Sequence, residues 1–382
     1  MSVDFQALRR QFPIFEHKTY INSCAYGALA VGVQEAIEQY VQERRMEGAL
    51  WGPWITKYEQ VRALMAQVLR VTTGELAITA SASAGMNALA SAQVFNRERN
   101  TIVISDCEFP TTAQIWHAQQ SRGAHCVHVP RAADGTISVE RFAECIDETT
   151  ALVVITHVCF RNGVMLDIPA IVNIAHARGA KVLLDCYQSV GALDLDLHAL
   201  GVDFAAGGML KYLLGTAGIG FLYVREQLIK EFVPTHTGWF AQAVIEDMAI
   251  DRNEPAQTAR RFEAGTPPVI NCYAAAAGLQ LLLSIGTRSI EERIRGLTEH
   301  YRMRLHEIGW PAVTASSTAR HGPLVCVAAR NAAGLVEVLA EHGIVTSQRD
   351  DHLRASFHFY NNEDDVEQLI AVLRTEHSAH AA

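Results

Sequence analysis

Between residues 75 and 224 short apolar runs alternate with longer amphipathic stretches. The runs Glu75–Ala80, Thr101–Asp106, His125–Pro130, Ala151–Val158, Lys181–Cys186, Phe204–Gly208 and Ile219–Val224 predict strands. Ala84–Phe95, Thr111–Gly123 and Ile168–Gly179 predict helices between them. Uninterrupted apolar runs mark strands buried on both faces, and helical crossovers between them make a mostly parallel sheet with helices on both sides. The expected class is α/β. Residues 226–268 are less regular and more polar. A helical region from Ile270 to about Gly309 follows, then a strand (Pro323–Ala329), a helix (Ala333–Gly343), a strand (Leu353–Tyr360) and a helix (Glu363–Glu376), the pattern of a small α+β domain. The expected division is an N-terminal segment (1–20), a large domain (21–268) and a small C-terminal domain (269–382). The tail His377–Ala382 is expected to fray.

Ligands of such sheets bind at the carboxyl ends of the strands, and polar residues gather there. Asp185 closes the run Lys181–Leu184. Lys211, one of only five lysines, lies in the glycine-flanked turn Ala206–Tyr212. A carboxylate at a strand end followed by a lysine in a tight loop suits pyridoxal phosphate (PLP). The lysine forms a Schiff base, and the acid keeps the pyridine nitrogen protonated so that the ring is an electron sink. Taken singly, Asp185 is a turn cap and Lys211 a surface residue; their neighbours favour the first reading. Ser81-Ala82-Ser83-Ala84-Gly85 joins a strand to a helix and offers hydroxyls and free N–H groups to a phosphate, or an ordinary serine cap. Phe109 is placed to stack on a ring or to fill the core. Gln188, three residues after Asp185, is placed to donate to a phenolic oxygen. His157 ends a strand, near the ring or as a satisfied polar group. Arg354 opens a strand and offers a fork for a carboxylate, or is a surface arginine.

Composition narrows the class. The 382 residues are 49% hydrophobic and 19% charged with a net charge of −9, which argues against nucleic acid or an anionic membrane as partner. The start, Met1–Phe5, has no cationic and apolar signal pattern, and no apolar run reaches the roughly 18 residues of a membrane span. The eight cysteines form no CxxC pair and no zinc spacing. The expectation is a cytoplasmic enzyme without a metal site or structural disulfide.

Together and in this order, the motifs Tyr20-Ile21-Asn22-Ser23, Ser81-Ala82-Ser83, Thr156-His157-Val158, Asp185-Cys186-Tyr187-Gln188-Ser189-Val190, Lys211-Tyr212-Leu213, Phe262-Glu263-Ala264-Gly265-Thr266-Pro267 and Arg354-Ala355-Ser356 carry a resemblance. The chain resembles the class V aminotransferase family of fold type I PLP-dependent enzymes, which includes cysteine desulfurases, selenocysteine lyases, kynureninases and isopenicillin N epimerase. The resemblance runs from about Tyr20 to Ile370. It implies a seven-stranded large-domain sheet, PLP held by Lys211 and paired with Asp185, and Gln188 at the phenolic oxygen. It also implies a phosphate site at Ser81, Ala82 and Ser83, with Phe109 and His157 beside the ring. Gly265-Thr266 resembles the segment a second subunit lends to the phosphate, which implies a homodimer with shared sites. Arg354 resembles the anchor of a substrate carboxylate; Asn22, Tyr26 and Trp239 join it as candidate substrate contacts.

The departures bear on the reaction. Desulfurases carry an arginine-threonine-glycine-x-x-cysteine loop before the anchor; Val345–Leu353 is short and has no cysteine. Their serine and histidine before the lysine are Gly208 and Leu210 here. Kynureninases carry a tyrosine before the lysine and an aspartate where this chain has Thr112. The resemblance therefore favours β-elimination of a sulfur or selenium group from an L-amino acid. An aminotransferase or epimerase, a kynureninase-like hydrolase, and a PLP-binding regulator without turnover are the alternatives. Trp51, Trp54, His236 and Trp239 either line the mouth of the site or pack a dimer interface.

Overall fold

The computed structural model describes residues 3–96, 98–313 and 320–381. Its strands are β1 (Thr19–Tyr20), β2 (Leu76–Thr79), β3 (Thr101–Ser105), β4 (His125–Val129), β5 (Thr150–Thr156), β6 (Lys181–Asp185), β7 (Phe204–Gly208), β8 (Gly220–Val224), β9 (Leu324–Ala328), β10 (Ile344–Val345), β11 (Ser347–Arg349) and β12 (His352–Ser356). Seven form one sheet in the order β2-β8-β7-β6-β5-β3-β4. All pairings in it are parallel except those of β8, which runs antiparallel to both neighbours.

Sequence alternation explains why the sheet is sandwiched. Leu152 and Val154 of β5, with Leu183 of β6, enter one apolar cluster; Val153, Ile155, Val182 and Leu184 enter the cluster on the opposite face. Each strand thus buries both faces, as its continuous apolar run requires. Helix Ile168–Ala177, which crosses from β5 to β6, starts at Asp167, whose carboxylate accepts from the Ala170 N–H.

The expected helical region 270–309 is two helices, Val269–Ile285 and Thr287–Glu307, separated at Gly286 with φ +89°. Left-handed backbone of this kind suits glycine and ends the first helix. That first helix lies beyond the expected division at 268, yet Cys272, Ala274–Ala276, Leu279 and Leu282 join the large-domain cluster. It packs against helices Val31–Glu47 and Trp51–Leu69. Apolar on most sides, it is satisfied only where all sides are covered. A third cluster, from Leu297 to Leu373, takes in Ile21. Its sheet has the order β11-β12-β9, and β10 pairs with β1 from the N-terminal segment. Arg9 adds a two-pronged ion pair to Asp365 at 2.7 and 2.8 Å.

Two expectations are corrected. The strand expected to reach Tyr360 stops at Ser356, because His358–Asn361 closes a turn in which the Asn361 side chain accepts from the His358 N–H. The tail expected to fray from His377 is helical to His380, and Ala381 bridges to Ala329; Ala382 lies outside the described residues. Among the described residues no single helix is long and apolar enough to cross a membrane, and all eight cysteines are free.

One buried ion pair ties the motif segment at 262–267 to the sheet. Arg62 meets Glu263 at 2.5 Å with both side chains buried, and Glu263 also accepts from the Ile78 N–H of β2 at 3.0 Å. Arg62→Ala would strand that carboxylate, so we expect a loss of about 3–5 kcal/mol, read as a lowered denaturation midpoint with unchanged m-value. A loss below about 1 kcal/mol would mean that the pair is not isolated from solvent.

Candidate active site

The carboxyl ends of β3, β5, β6 and β7 meet at one rim. Register sets Thr156 opposite Asp185, and Asp185 opposite Ala206. A cavity of about 340 Å³ opens there, and its lining includes Ala82, Ser83, Phe109, Asp185, Gln188, Lys211 and Arg354. Seven residues singled out from the sequence are thus brought together from positions 82 to 354.

Asp185 is buried and held from two sides. Its Oδ1 accepts from the Tyr187 N–H at 2.9 Å and its Oδ2 from the Thr112 hydroxyl at 3.1 Å. Burial pushes its carboxyl above the usual carboxylate range, while the Tyr187 N–H, the Thr112 hydroxyl and the Lys211 charge pull the other way. Glu108 lies close by. Burial, and then the Asp185 charge, drive its pKa well above the ordinary value. Lys211 Nζ lies 4.5 Å from the centroid of the Tyr187 ring and 6.0 Å from that of Phe109. Burial lowers its pKa from 10.5 to about 8, against the opposing pull of Cys24 and Asp185. A lysine at that value supplies a neutral amine near physiological pH.

The N-terminal segment closes the floor. Gly27 N–H donates to the Leu210 carbonyl at 2.9 Å, and a Cβ on Gly27 would overlap the Lys211 carbonyl. Gln188 donates to the Cys24 carbonyl at 3.1 Å, and its buried Oε1 has no partner in the chain. Arg354 is buried. It donates to the Phe160 carbonyl at 2.8 Å and to Ser347 Oγ at 3.0 Å, and its Nε is unpartnered. No carboxylate faces it among the described residues.

Other expected residues lie elsewhere. Ser81 caps helix Ala82–Ala92, its hydroxyl accepting from the Ala84 N–H at 3.0 Å. His157 is buried behind the cavity, with Nδ1 unpartnered and its pKa lowered by burial to about 4. Asn22 and Tyr26 do not line the cavity; the Tyr26 hydroxyl accepts from the Ala217 N–H at 2.9 Å. Trp239 packs edge-on against Phe240 (4.6 Å) and Trp51 (6.2 Å), and Trp51 against Trp54 (5.5 Å). Gly265 and Thr266 are exposed and away from the cavity.

Sequence reading gave no site role to Tyr187 or Arg349 and named Thr112 only as the residue in place of the kynureninase aspartate; all three line the cavity. Tyr187 explains Gly208: a Cβ there would overlap the Tyr187 hydroxyl, so the phenol occupies the space a serine would use. The Asp-Cys-Tyr-Gln spacing carried that signal; Arg349 had none, since its place depends on a hairpin.

These observations suit PLP. Among the described residues Asp185 lacks a cationic partner at close range, Lys211 is a poised amine, Gln188 Oε1 and Arg354 Nε have no partner, and Ala82 and Ser83 bring the start of a helix to the cavity wall. Addition of an aldehyde to Lys211 needs the neutral amine. Cofactor capture by cofactor-free protein should therefore speed up as pH rises through about 8 and then level off. A rate still climbing towards the ordinary lysine value of 10.5 would contradict the burial of this amine.

Comparisons with known proteins agree. Residues 29–369 match the family described as Aminotransferase class-V. The chain is 31% identical over 362 residues to "Uncharacterized aminotransferase YcbU" of Bacillus subtilis, covering 95% of each. It is 30% identical over 383 residues to a kynureninase of Deinococcus radiodurans, covering 95% of this chain and 91% of that one. The apo cysteine desulfurase of Thermococcus onnurineus NA1 has the same fold, with a TM-score of 0.87 at 23% identity over 98% of both chains. The cystine C-S lyase C-DES, solved with its product cysteine persulfide, gives a TM-score of 0.86 at 25% identity, covering 95% of this chain and 99% of that one. The chain belongs to the class V aminotransferase family, and it is a PLP-dependent enzyme of fold type I.

Proposed function

We propose that this enzyme eliminates a β-substituent, with a sulfur or selenium leaving group, from an L-amino acid. The observation that carries the amino-acid part is Arg354, a buried guanidinium in the same cavity as Lys211 that forms no ion pair with a carboxylate among the described residues. A substrate α-carboxylate supplies the missing partner. Bound PLP supplies an electron sink for charge that develops at the substrate Cα.

The chain's own residues do the rest. Lys211 is the amine that holds the cofactor covalently. As a free amine it would take the Cα proton as general base, with a pKa near 8 matched to the task. Asp185 keeps a proton on the pyridine nitrogen, steadied by Thr112 and the Tyr187 N–H. Ala82 and Ser83 receive the phosphate, Gln188 serves the phenolic oxygen, and Phe109 covers the ring. Arg354 fixes which Cα bond stands towards Lys211. The part built around residues 297–373 brings Arg354, and the seven-stranded part brings Lys211 and Asp185, so the site forms where the two meet.

Elimination is favoured over the alternatives for two reasons. The desulfurase cysteine loop is missing, whereas a lyase needs no second nucleophile. Thr112 stands where kynureninases carry an aspartate, and its hydroxyl is already committed to Asp185. The likeness to the lyase C-DES at 25% identity supports the same choice. An aminotransferase is the second reading, favoured by the 31% identity to YcbU. Thiol release from an S-substituted cysteine, followed without any oxo acid, separates them. Release continuing past one equivalent per site supports elimination; release of none, with conversion halting at one equivalent, moves the reading to transfer.

The active form is a homodimer in the cytoplasm. Trp51, Met248 and Ile250 are exposed at 44%, 67% and 101% of their full areas. Apolar exposure of this extent suits a subunit interface. The partner's copies of Gly265 and Thr266 then complete the phosphate site. Light scattering that gives a monomer with full activity would remove this part.

A further inference from the structure

Arg354, Lys211 and Asp185 each have a counterpart in the reading above, and Arg349 has none. Three cations and one carboxylate line the cavity, in a chain whose net charge is −9. The hairpin places Arg349. β11 and β12 run antiparallel, with Ser347 opposite Arg354 and Arg349 opposite His352. Directly opposed residues project from one face of an antiparallel pair, as do residues two apart on one strand. Arg349, Ser347 and Arg354 therefore share the face that Arg354 turns to the cavity. Ser347 Oγ is tied to Arg354 at 3.0 Å at the inner end; Arg349 stands at the outer end, exposed at the mouth.

The nearest acid in sequence does not neutralise it. Asp350 gives both carboxylate oxygens to Arg161, at 2.6 and 2.8 Å, and Arg161 rests over the Phe160 ring at 4.9 Å. Among the described residues no carboxylate pairs with Arg349. The lining that the two arginines share also includes the apolar Phe109, Val158 and Phe160. A buried arginine, apolar walls and a second, exposed arginine without an ion-pair partner suit a ligand with an anionic group at each end.

We infer that Arg349 is a specificity residue that selects L-amino acids whose side chain ends in an anion, a carboxylate, sulfinate or sulfonate, while Arg354 takes the α-carboxylate. The inference rests on the reading of the cavity as an L-amino-acid site. It is tested on the PLP-loaded enzyme with matched pairs: L-aspartate and L-asparagine, L-glutamate and L-glutamine, S-carboxymethyl-L-cysteine and its side-chain amide. The cofactor's absorbance change gives Kd for each, in the parent, in Arg349→Gln and in Arg349→Lys. In at least one pair the acid is expected to bind about tenfold or more tightly than the amide, in line with a charge-assisted pair. Arg349→Gln should erase that preference and Arg349→Lys should keep part of it. The absorbance spectrum without ligand checks that each variant holds its cofactor. Equal affinities within every pair, or a preference that survives in Arg349→Gln, would overturn the inference while leaving the amino-acid reading intact. Silence from every amino acid, amides included, would instead remove that reading and this inference with it.

Discussion

Replacing Lys211 by alanine is expected to lower turnover of any accepted amino acid by about four orders of magnitude or more. Two losses combine. A positioned general base is worth about 10²–10⁴ in rate, and the covalent hold on the cofactor goes with the same amine. The cavity offers no substitute, since Lys211 is its only lysine and Arg349 and Arg354 stay protonated. The variant should still fold, because Lys211 Nζ makes no hydrogen bond among the described residues and its backbone contacts to Gly27 and Leu214 remain. Far-ultraviolet circular dichroism checks this. Borohydride treatment of the loaded parent should fix the cofactor on the peptide containing Lys211, and on no peptide of the variant. Turnover near the parent level in Lys211→Ala would put the chemistry outside this cavity.

Asp185→Asn carries the second largest effect, a fall in kcat of about two to four orders of magnitude. Removing one member of a buried charge pair costs about 3–5 kcal/mol, and each 1.4 kcal/mol is about tenfold in rate. The amide keeps the shape, and its single oxygen can still accept from the Tyr187 N–H, which now holds Asp185 at 2.9 Å, while its NH2 turns donor towards the Thr112 hydroxyl, which now donates at 3.1 Å. It cannot hold a proton on the ring nitrogen. The loss should therefore fall on kcat and on cofactor affinity, while Kd for a competitive amino acid, bound through Arg354, changes little. A variant with unchanged kcat would show that the ring's protonation is not set by this residue. Thr112→Val should give a weaker form of the same loss, since it removes one of two hydrogen bonds.

The residues that carry this account were legible to unequal degrees. Lys211 and Asp185 stood out because a strand end and a glycine turn are local features, and Arg354 followed from its place on a strand. The alternation within β5 was hidden in an all-apolar run, because both faces of the strand are buried. Ser81 shows the limit of local reading: cap and phosphate ligand look alike in sequence, and the hydroxyl turns to the Ala84 N–H. Tyr187 and Gly208 are twenty-one residues apart, and only their overlap in space shows why the glycine is there. Arg349 depended on the register of β11 with β12, in a stretch read from sequence as a short loop. The helix Val269–Ile285, beyond the expected division at 268, joins the cluster of the seven-stranded sheet because covering an apolar helix is a matter of tertiary packing, which composition does not report.

The most direct test is a product balance for PLP-loaded enzyme with L-cystine and S-substituted L-cysteines, scoring pyruvate, ammonia, alanine and released sulfur species. Elimination gives pyruvate and ammonia in equal amounts, with one sulfur leaving group per pyruvate and many turnovers per site. Alanine in place of pyruvate, or an oxo acid that stops at one equivalent per site, would contradict it.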